Sequence, residues 1–226
     1  MSGTAGGYLF LLGLAFGVAL LTFTAYARVS PRWLRWLLMA ADLLVAGRYV
    51  AMACFALAQT PERVWVLRRL WFGSVIGLTL PSVFAVDALI RHPAMTPRKL
   101  LLRFSPFLAA YATLILFGHT APIADRVAGW AVSLTPGWRA LLSSVQILFV
   151  LGFLGLCVLL VWKVPVPAIR TALLMLAAAH TYLALDGLLV ATGRWYVRPF
   201  LYSEMLTLLA LWHAFQTAAR LQQSVS

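Results

Sequence analysis

Seven ionisable side chains fall inside apolar stretches of this sequence, and they are the residues best able to do chemistry. A charge inside a bilayer is costly, so each is by default a hypothesis of function as an ion pair, a proton carrier or a ligand contact. The set combines acids with one arginine and two histidines. It consists of Asp42, Arg48, Asp87, His180, Asp186, Glu204 and His213.

Depth along predicted helices decides which of these side chains can meet. At about 1.5 Å of rise per residue, four of them and two uncharged polar residues lie in the same outer half of the bilayer. We therefore predict one polar ligand-binding cavity there. Its predicted lining is Arg48, Asp186, Glu204, His180, Gln146 and Tyr111. The alternative that stays open is a buried salt bridge of Arg48 with one of the two acids, which would only fix helix packing.

Two further acids, Asp42 and Asp87, lie near the opposite, cytoplasmic side by the same count. Arg35 and Arg91 are close to them along the chain. The favoured interpretation is pairing at the membrane rim, where long arginine side chains reach toward water. A proton route through the two acids is the alternative.

The histidines and lysines argue against familiar cofactors. Axial haem ligands must lie at similar depth, but His180 lies about 16 Å and His213 about 7 Å from the inner end, which disfavours a bis-histidine haem. A retinal Schiff base needs a lysine in the last span, and both lysines, Lys99 and Lys163, lie between spans. The sequence contains no HExxH, paired-cysteine or GxSxG motif. We predict no cofactor, no metal, no catalytic residue and no enzyme activity.

The elements that must position these residues are transmembrane helices. Of 226 residues, 63% are hydrophobic and 11% charged, and the mean hydropathy is +0.91. Little of the chain lies outside the apolar segments, which excludes a separate kinase, nuclease or hydrolase domain and predicts one transmembrane domain over 1–226. Seven segments can each cross about 30 Å of hydrocarbon. They are 8–27, 37–58, 70–90, 101–118, 140–162, 169–192 and 199–218.

The basic residues predict the orientation. The net charge is +12. Of the basic residues in the loops, near span ends and after the last span, ten fall on one side against seven on the other, with none before Tyr8. This pattern predicts an all-α bundle of seven helices with its N-terminus outside and its C-terminus in the cytoplasm. It also predicts an uncleaved first helix. Since the charge lies between apolar runs, we expect contact with the lipid bilayer and none with nucleic acid.

Two local patterns predict further detail. Ile123, Val127, Trp130 and Leu134 share one helical face, which predicts a short amphipathic helix over 123–134 in the outer interface. The small-residue pairs Gly13/Gly17 and Gly73/Gly77 permit close helix approach, and we expect both to serve packing inside the bundle.

One stretch resembles a known family. Leu67-Arg68-Arg69-Leu70-Trp71-Phe72-Gly73, Pro81-Ser82-Val83-Phe84-Ala85 and Arg98-Lys99-Leu100-Leu101-Leu102 are similar to the N-terminal seven-transmembrane sensor region of bacterial histidine kinases. The resemblance implies a sensor bundle, which in that family continues into cytoplasmic PAS and kinase domains. This chain contains no phosphoacceptor histidine region or ATP lid, so kinase activity is not implied.

We therefore expect a multi-pass protein of a bacterial inner membrane that acts as a receptor or sensor in signal transduction. It would couple the outer-half cavity to a partner protein, either a separate signalling protein or other membrane subunits. Two alternatives stay open. One is a non-catalytic subunit of a respiratory, photosynthetic or secretory complex, and the other is a small transporter.

Overall fold

The protein is a bundle of long α-helices with one small β-hairpin. The computed structural model describes residues 3–91, 96–125, 128–191 and 200–223. A 3-10 helix, Pro61–Phe72, runs directly into α3, and the hairpin lies between α4 and α5. The elements are α1 (Gly3–Tyr26), α2 (Arg32–Leu57), α3 (Gly73–Ile90), α4 (Pro97–Phe117), β1 (Thr120–Ala124), β2 (Trp130–Leu134), α5 (Pro136–Lys163), α6 (Pro167–Ala191) and α7 (Leu201–Gln223).

Each predicted apolar segment overlaps one of these helices, and the described helix ends lie a few residues from the predicted ones. Residues 192 and 199, two of the predicted ends, lie outside the described residues. Six helices within the described ranges are long and apolar enough to cross a membrane, with Pro61–Ile90 counted as one of them. The coarse prediction of an all-α membrane bundle agrees with this architecture. Helix α7 is not among the six.

Helix α7 can be less apolar because other helices surround it. It contacts α1, α3 and α6, whereas α4 and α5 lie at the periphery and expose many apolar side chains. The buried face of α7 includes four polar side chains, Ser203, Glu204, Thr207 and Thr217. A helix enclosed by protein can carry polar groups that neighbouring helices satisfy, which a lipid-facing helix cannot.

Helices α2 and α3 approach each other closely at two glycines. A Cβ atom on Gly73 would collide with the carbonyl oxygen of Leu44, and one on Gly77 would lie 2.6 Å from the carbonyl oxygen of Ala41. The prediction of internal packing is therefore confirmed for this pair. It is wrong for Gly13 and Gly17, because a Cβ atom on either would meet nothing within 4 Å.

The predicted interfacial helix over 123–134 is wrong. The segment forms an antiparallel hairpin in which Ala124 pairs with Trp130 and Ile123 with Ala131. Gly129 adopts a φ of +57°, which favours a turn over a continuous helix. The hairpin lies on the end of α2, where a Cβ on Gly129 would be 2.5 Å from two carbonyl oxygens. The two strands hydrogen-bond each other's backbone N–H and C=O groups, so these groups are satisfied without a helix. Arg126 and Val127 lie outside the described residues.

Side chains satisfy carbonyl groups where helices end or contain proline. Arg69 donates from Nη1 to the carbonyl oxygens of Ile115 and Gly118, at 2.7 and 2.8 Å, and so caps the end of α4. A cation at a helix C-terminus also complements the helix dipole. Pro106 cannot donate to the carbonyl of Leu102, and the Ser105 hydroxyl donates to it instead at 2.7 Å. These contacts keep backbone groups paired in apolar surroundings.

Candidate functional site

A buried ion pair between α2 and α7 is the centre of the candidate site. Arg48 Nε lies 3.0 Å from Glu204 Oε1 and 3.1 Å from Oε2, so the carboxylate receives this N–H with both oxygens in reach. The side chains are 7% and 2% exposed. Neither buried charge is hydrated. Each must therefore be compensated by the opposite charge of its partner.

Two neighbouring residues, Trp71 and Tyr49, complete the surroundings of this pair. Arg48 Nη1 donates to the backbone carbonyl of Trp71, at the junction of the 3-10 helix and α3. The Arg48 guanidinium also lies 6.0 Å from the centroid of the Trp71 ring, within cation–π range. Tyr49, buried beside Arg48, faces Glu204 as well. Arg48 therefore joins α2 to both α7 and the start of α3.

Asp186 does not join this pair. Its Oδ2 accepts a hydrogen bond from the Ser203 hydroxyl at 2.6 Å and from the Phe200 backbone N–H at 3.2 Å. Both donors belong to the first turn of α7 or precede it, where N–H groups lack partners within the helix. Asp186 therefore anchors the N-terminal end of α7 to α6.

His180 lies in a separate contact between α6 and α3. Its Nδ1 is 2.9 Å from the Leu176 carbonyl oxygen, and its Nε2 is 3.1 Å from the Ser82 hydroxyl. Because a carbonyl can only accept, Nδ1 carries the proton. The ring packs against Phe153, with centroids 4.3 Å apart. Both ring nitrogens are engaged, and the side chain is 1% exposed.

The last two predicted lining residues pair with each other. The Tyr111 hydroxyl donates to Gln146 Oε1 at 2.9 Å and so joins α4 to α5. The six predicted residues thus form four hydrogen-bonded contacts between different helix pairs, and Arg48 with Glu204 is the one that unites two charges. Sequence reasoning missed Trp71, Ser82 and Ser203 as partners. Two of them had a signal in the sequence: Ser203 lies beside Glu204, and Ser82 follows a proline inside an apolar segment.

Asp42 differs from its predicted environment. It is 2% exposed, and within the described ranges its Oδ1 has no hydrogen-bond partner. Arg35 donates instead from Nε to the Val29 carbonyl oxygen at 3.1 Å. The buried side chains of Tyr26 and Tyr49 lie close enough to Asp42 for its charge to act on them. Pairing of Asp42 with arginine at the rim is therefore wrong, whereas Asp87 does lie close enough to Arg91 for their charges to interact.

We expect Asp42→Asn to raise the free energy of unfolding by about 1 kcal/mol, because it removes a buried charge that lacks a full set of partners. Asp186→Asn serves as the matched control. It should lower stability by a similar amount, since the two hydrogen bonds that Asp186 Oδ2 accepts lose the assistance of the negative charge. Thermal unfolding in detergent, followed by circular dichroism, measures both. A loss of stability in Asp42→Asn would mean that the charge has an essential role in the fold.

Neither metal ligation nor a comparison with known proteins identifies what this site does. Within the described residues, no group of three or more His, Cys, Asp and Glu side chains could hold a metal ion. Neither the family models, nor the curated proteins, nor the solved structures with which the chain was compared match it. The functional argument therefore depends on the geometry of the chain itself.

Proposed function

We propose that this chain is a membrane sensor module in which the Arg48–Glu204 pair holds α2 and α7 in one of two packings. The observation that supports this most is the burial of two opposite charges, Arg48 on α2 and Glu204 on α7, in direct contact inside the bundle. Breaking the pair, by a ligand or by protonation, would release α7. The resemblance to kinase sensor regions agrees with this proposal.

The physical support lies in what a buried ion pair does well. Desolvation takes back most of the Coulomb gain, so such a pair contributes little net stability. Its best-attested use is to specify one register or to act as a switch. Glu204 lies in the first turn of α7, and Arg48 also bonds the junction before α3. A change in the Arg48–Glu204 contact therefore affects α2, α3 and α7.

Helix α7 offers a route to the other side of the bundle. It has 23 residues, which at about 1.5 Å each exceed the roughly 30 Å of a bilayer core. With α7 counted as a span, we propose seven crossings, an outer N-terminus and a cytoplasmic C-terminus in a bacterial inner membrane. A partner protein would then receive the signal at the end of α7. Labelling of a Gln222→Cys variant by a membrane-impermeant maleimide tests this orientation.

The test measures whether the pair controls the position of α7. Spin labels at Trp36→Cys and Gln222→Cys, on exposed positions of α2 and α7, report the distance between their inner ends. Cys54 and Cys157 are first replaced by alanine. We expect the double variant Arg48→Gln/Glu204→Gln to shift the distance distribution by about 2 Å or more, the scale of helix shifts in switches.

Glu62→Gln/Arg63→Gln is the matched control, because it removes the same charges from exposed side chains of the 3-10 helix. It should leave the distances unchanged. If the Arg48/Glu204 double variant folds and keeps the original distance distribution, the pair only fixes packing. The sensor proposal would then be wrong, and a structural subunit would be the better hypothesis.

A further inference from the structure

A cleft of about 320 Å³ lies at the end of the bundle where α1, α3 and α7 finish and α2 and α4 begin. At about 30 Å³ per water molecule, it has room for a group much larger than a single water. Its polar lining includes Arg28, Asp87, Arg91, Thr96 and Gln222. None of these residues belongs to the site around Arg48.

Two arginines make the cleft attractive to an anion. Arg28 donates from Nη1 to Gln216 Oε1 at 3.2 Å, which holds its guanidinium at the edge of α7. A guanidinium has five N–H donors, so the same group can still bind phosphate oxygens. Asp87 offsets one of the two positive charges. The beginning of α4 adds the positive end of a helix dipole.

Arg91, the second arginine that lines the cleft, is the residue at which α3 ends. Its φ of 48° and ψ of 53° lie in the left-handed region at the end of α3. Glycine is usual at this position, because the left-handed conformation costs other residues about 1–2 kcal/mol. What Arg91 contributes to the cleft is the positive charge of its side chain.

The rest of the lining is apolar, and this separates lipid from a soluble anion. Leu34, Phe84 and Phe215 line the same cleft as the arginines. A free phosphate gains nothing from such side chains, whereas a phospholipid brings a phosphate together with glycerol and acyl carbons. Basic pockets between helices at a membrane edge bind anionic headgroups for this reason.

We propose that this cleft binds the phosphate of an anionic phospholipid headgroup, held by Arg28 and Arg91 with its glycerol region on the apolar lining. The proposal goes beyond the sensor function and does not depend on it. A lipid bound here would contact the ends of three helices and the beginnings of two more.

The test adds phosphatidylglycerol or phosphatidylcholine to the full chain in detergent and counts bound lipids by native mass spectrometry. The Tm is measured in parallel. We expect phosphatidylglycerol to bind and to raise the Tm, and phosphatidylcholine to do neither. Arg28→Gln/Arg91→Gln should weaken phosphatidylglycerol binding at least about tenfold, because it removes two charge-assisted contacts.

Arg32→Gln/Arg98→Gln is the charge-matched control, since both arginines are exposed at the same end and neither lines the cleft. It should weaken binding less than about threefold. Equal weakening by both double variants would overturn the proposal in favour of general charge attraction. A Tm increase from inorganic phosphate equal to that from phosphatidylglycerol would overturn it in favour of a soluble anion. The Tm of each variant without lipid verifies that it is folded.

Discussion

Glu204→Leu is expected to lower the free energy of unfolding by about 3–5 kcal/mol, the largest effect of any substitution considered. The leucine leaves the Arg48 guanidinium buried without its counter-ion, and an uncompensated buried charge is strongly destabilising. Arg48→Met should be costly for the same reason, because Glu204 is 1% exposed and loses its cation. Unfolding by denaturing detergent in mixed micelles measures both losses.

The double variant Arg48→Met/Glu204→Leu completes the cycle. Apolar side chains of similar volume often replace a buried ion pair at little or no cost. We therefore expect the double variant to lie within about 1 kcal/mol of the original protein, far above either single variant. Losses that simply add would contradict direct coupling. The pair would then contribute through separate contacts, such as that of Arg48 with the Trp71 carbonyl.

Gly77→Leu should be the next most damaging change, with a loss of about 3 kcal/mol. The first added atom would already lie 2.6 Å from the carbonyl oxygen of Ala41 and would collide with Val45, so α3 must move away from α2. That movement also disturbs the Arg48 contact at the beginning of α3. The same unfolding experiment measures the effect.

Gly13→Leu is the control for this prediction. It makes the same substitution in a pair of the same spacing, but on a face of α1 where a Cβ atom would meet nothing within 4 Å. The free energy of unfolding of the Gly13→Leu variant should stay within about 0.5 kcal/mol of that of the original protein. A loss equal to that of Gly77→Leu would contradict the assignment of Gly13 to an open face.

These two glycine pairs show one feature that the sequence did not predict, namely which of them faces another helix. Both pairs have the spacing that lets helices approach, and the spacing alone predicted internal packing for both. Which pair faces another helix depends on how α1 and α3 are rotated in the bundle. Rotation is decided by contacts with neighbours, and those contacts join residues far apart in the chain.

The ion pair shows the same division. Helical rise placed Arg48, Asp186 and Glu204 in one outer layer, and it left two acids as possible partners of one arginine. The structure selects Glu204, because Asp186 is engaged by Ser203 and the Phe200 N–H. Depth is a property of one helix, whereas partnership depends on the order of helices around the bundle.

The hairpin and Asp42 were beyond the sequence for related reasons. An apolar repeat over 123–134 suited a helix, but the turn at Gly129 packs against the end of α2, a residue range far away in sequence. The sequence predicted Asp42 at the exposed rim of the membrane, but this position of α2 is buried inside the bundle.

The sequence by itself determined that long apolar helices form, because a chain in apolar surroundings must pair its backbone groups locally. It also determined which charges lie among them. Only the tertiary structure decided which charges meet, which glycines are covered and where the clefts open. These outcomes depend on side-chain contacts between helices, which the order of residues along one helix does not specify.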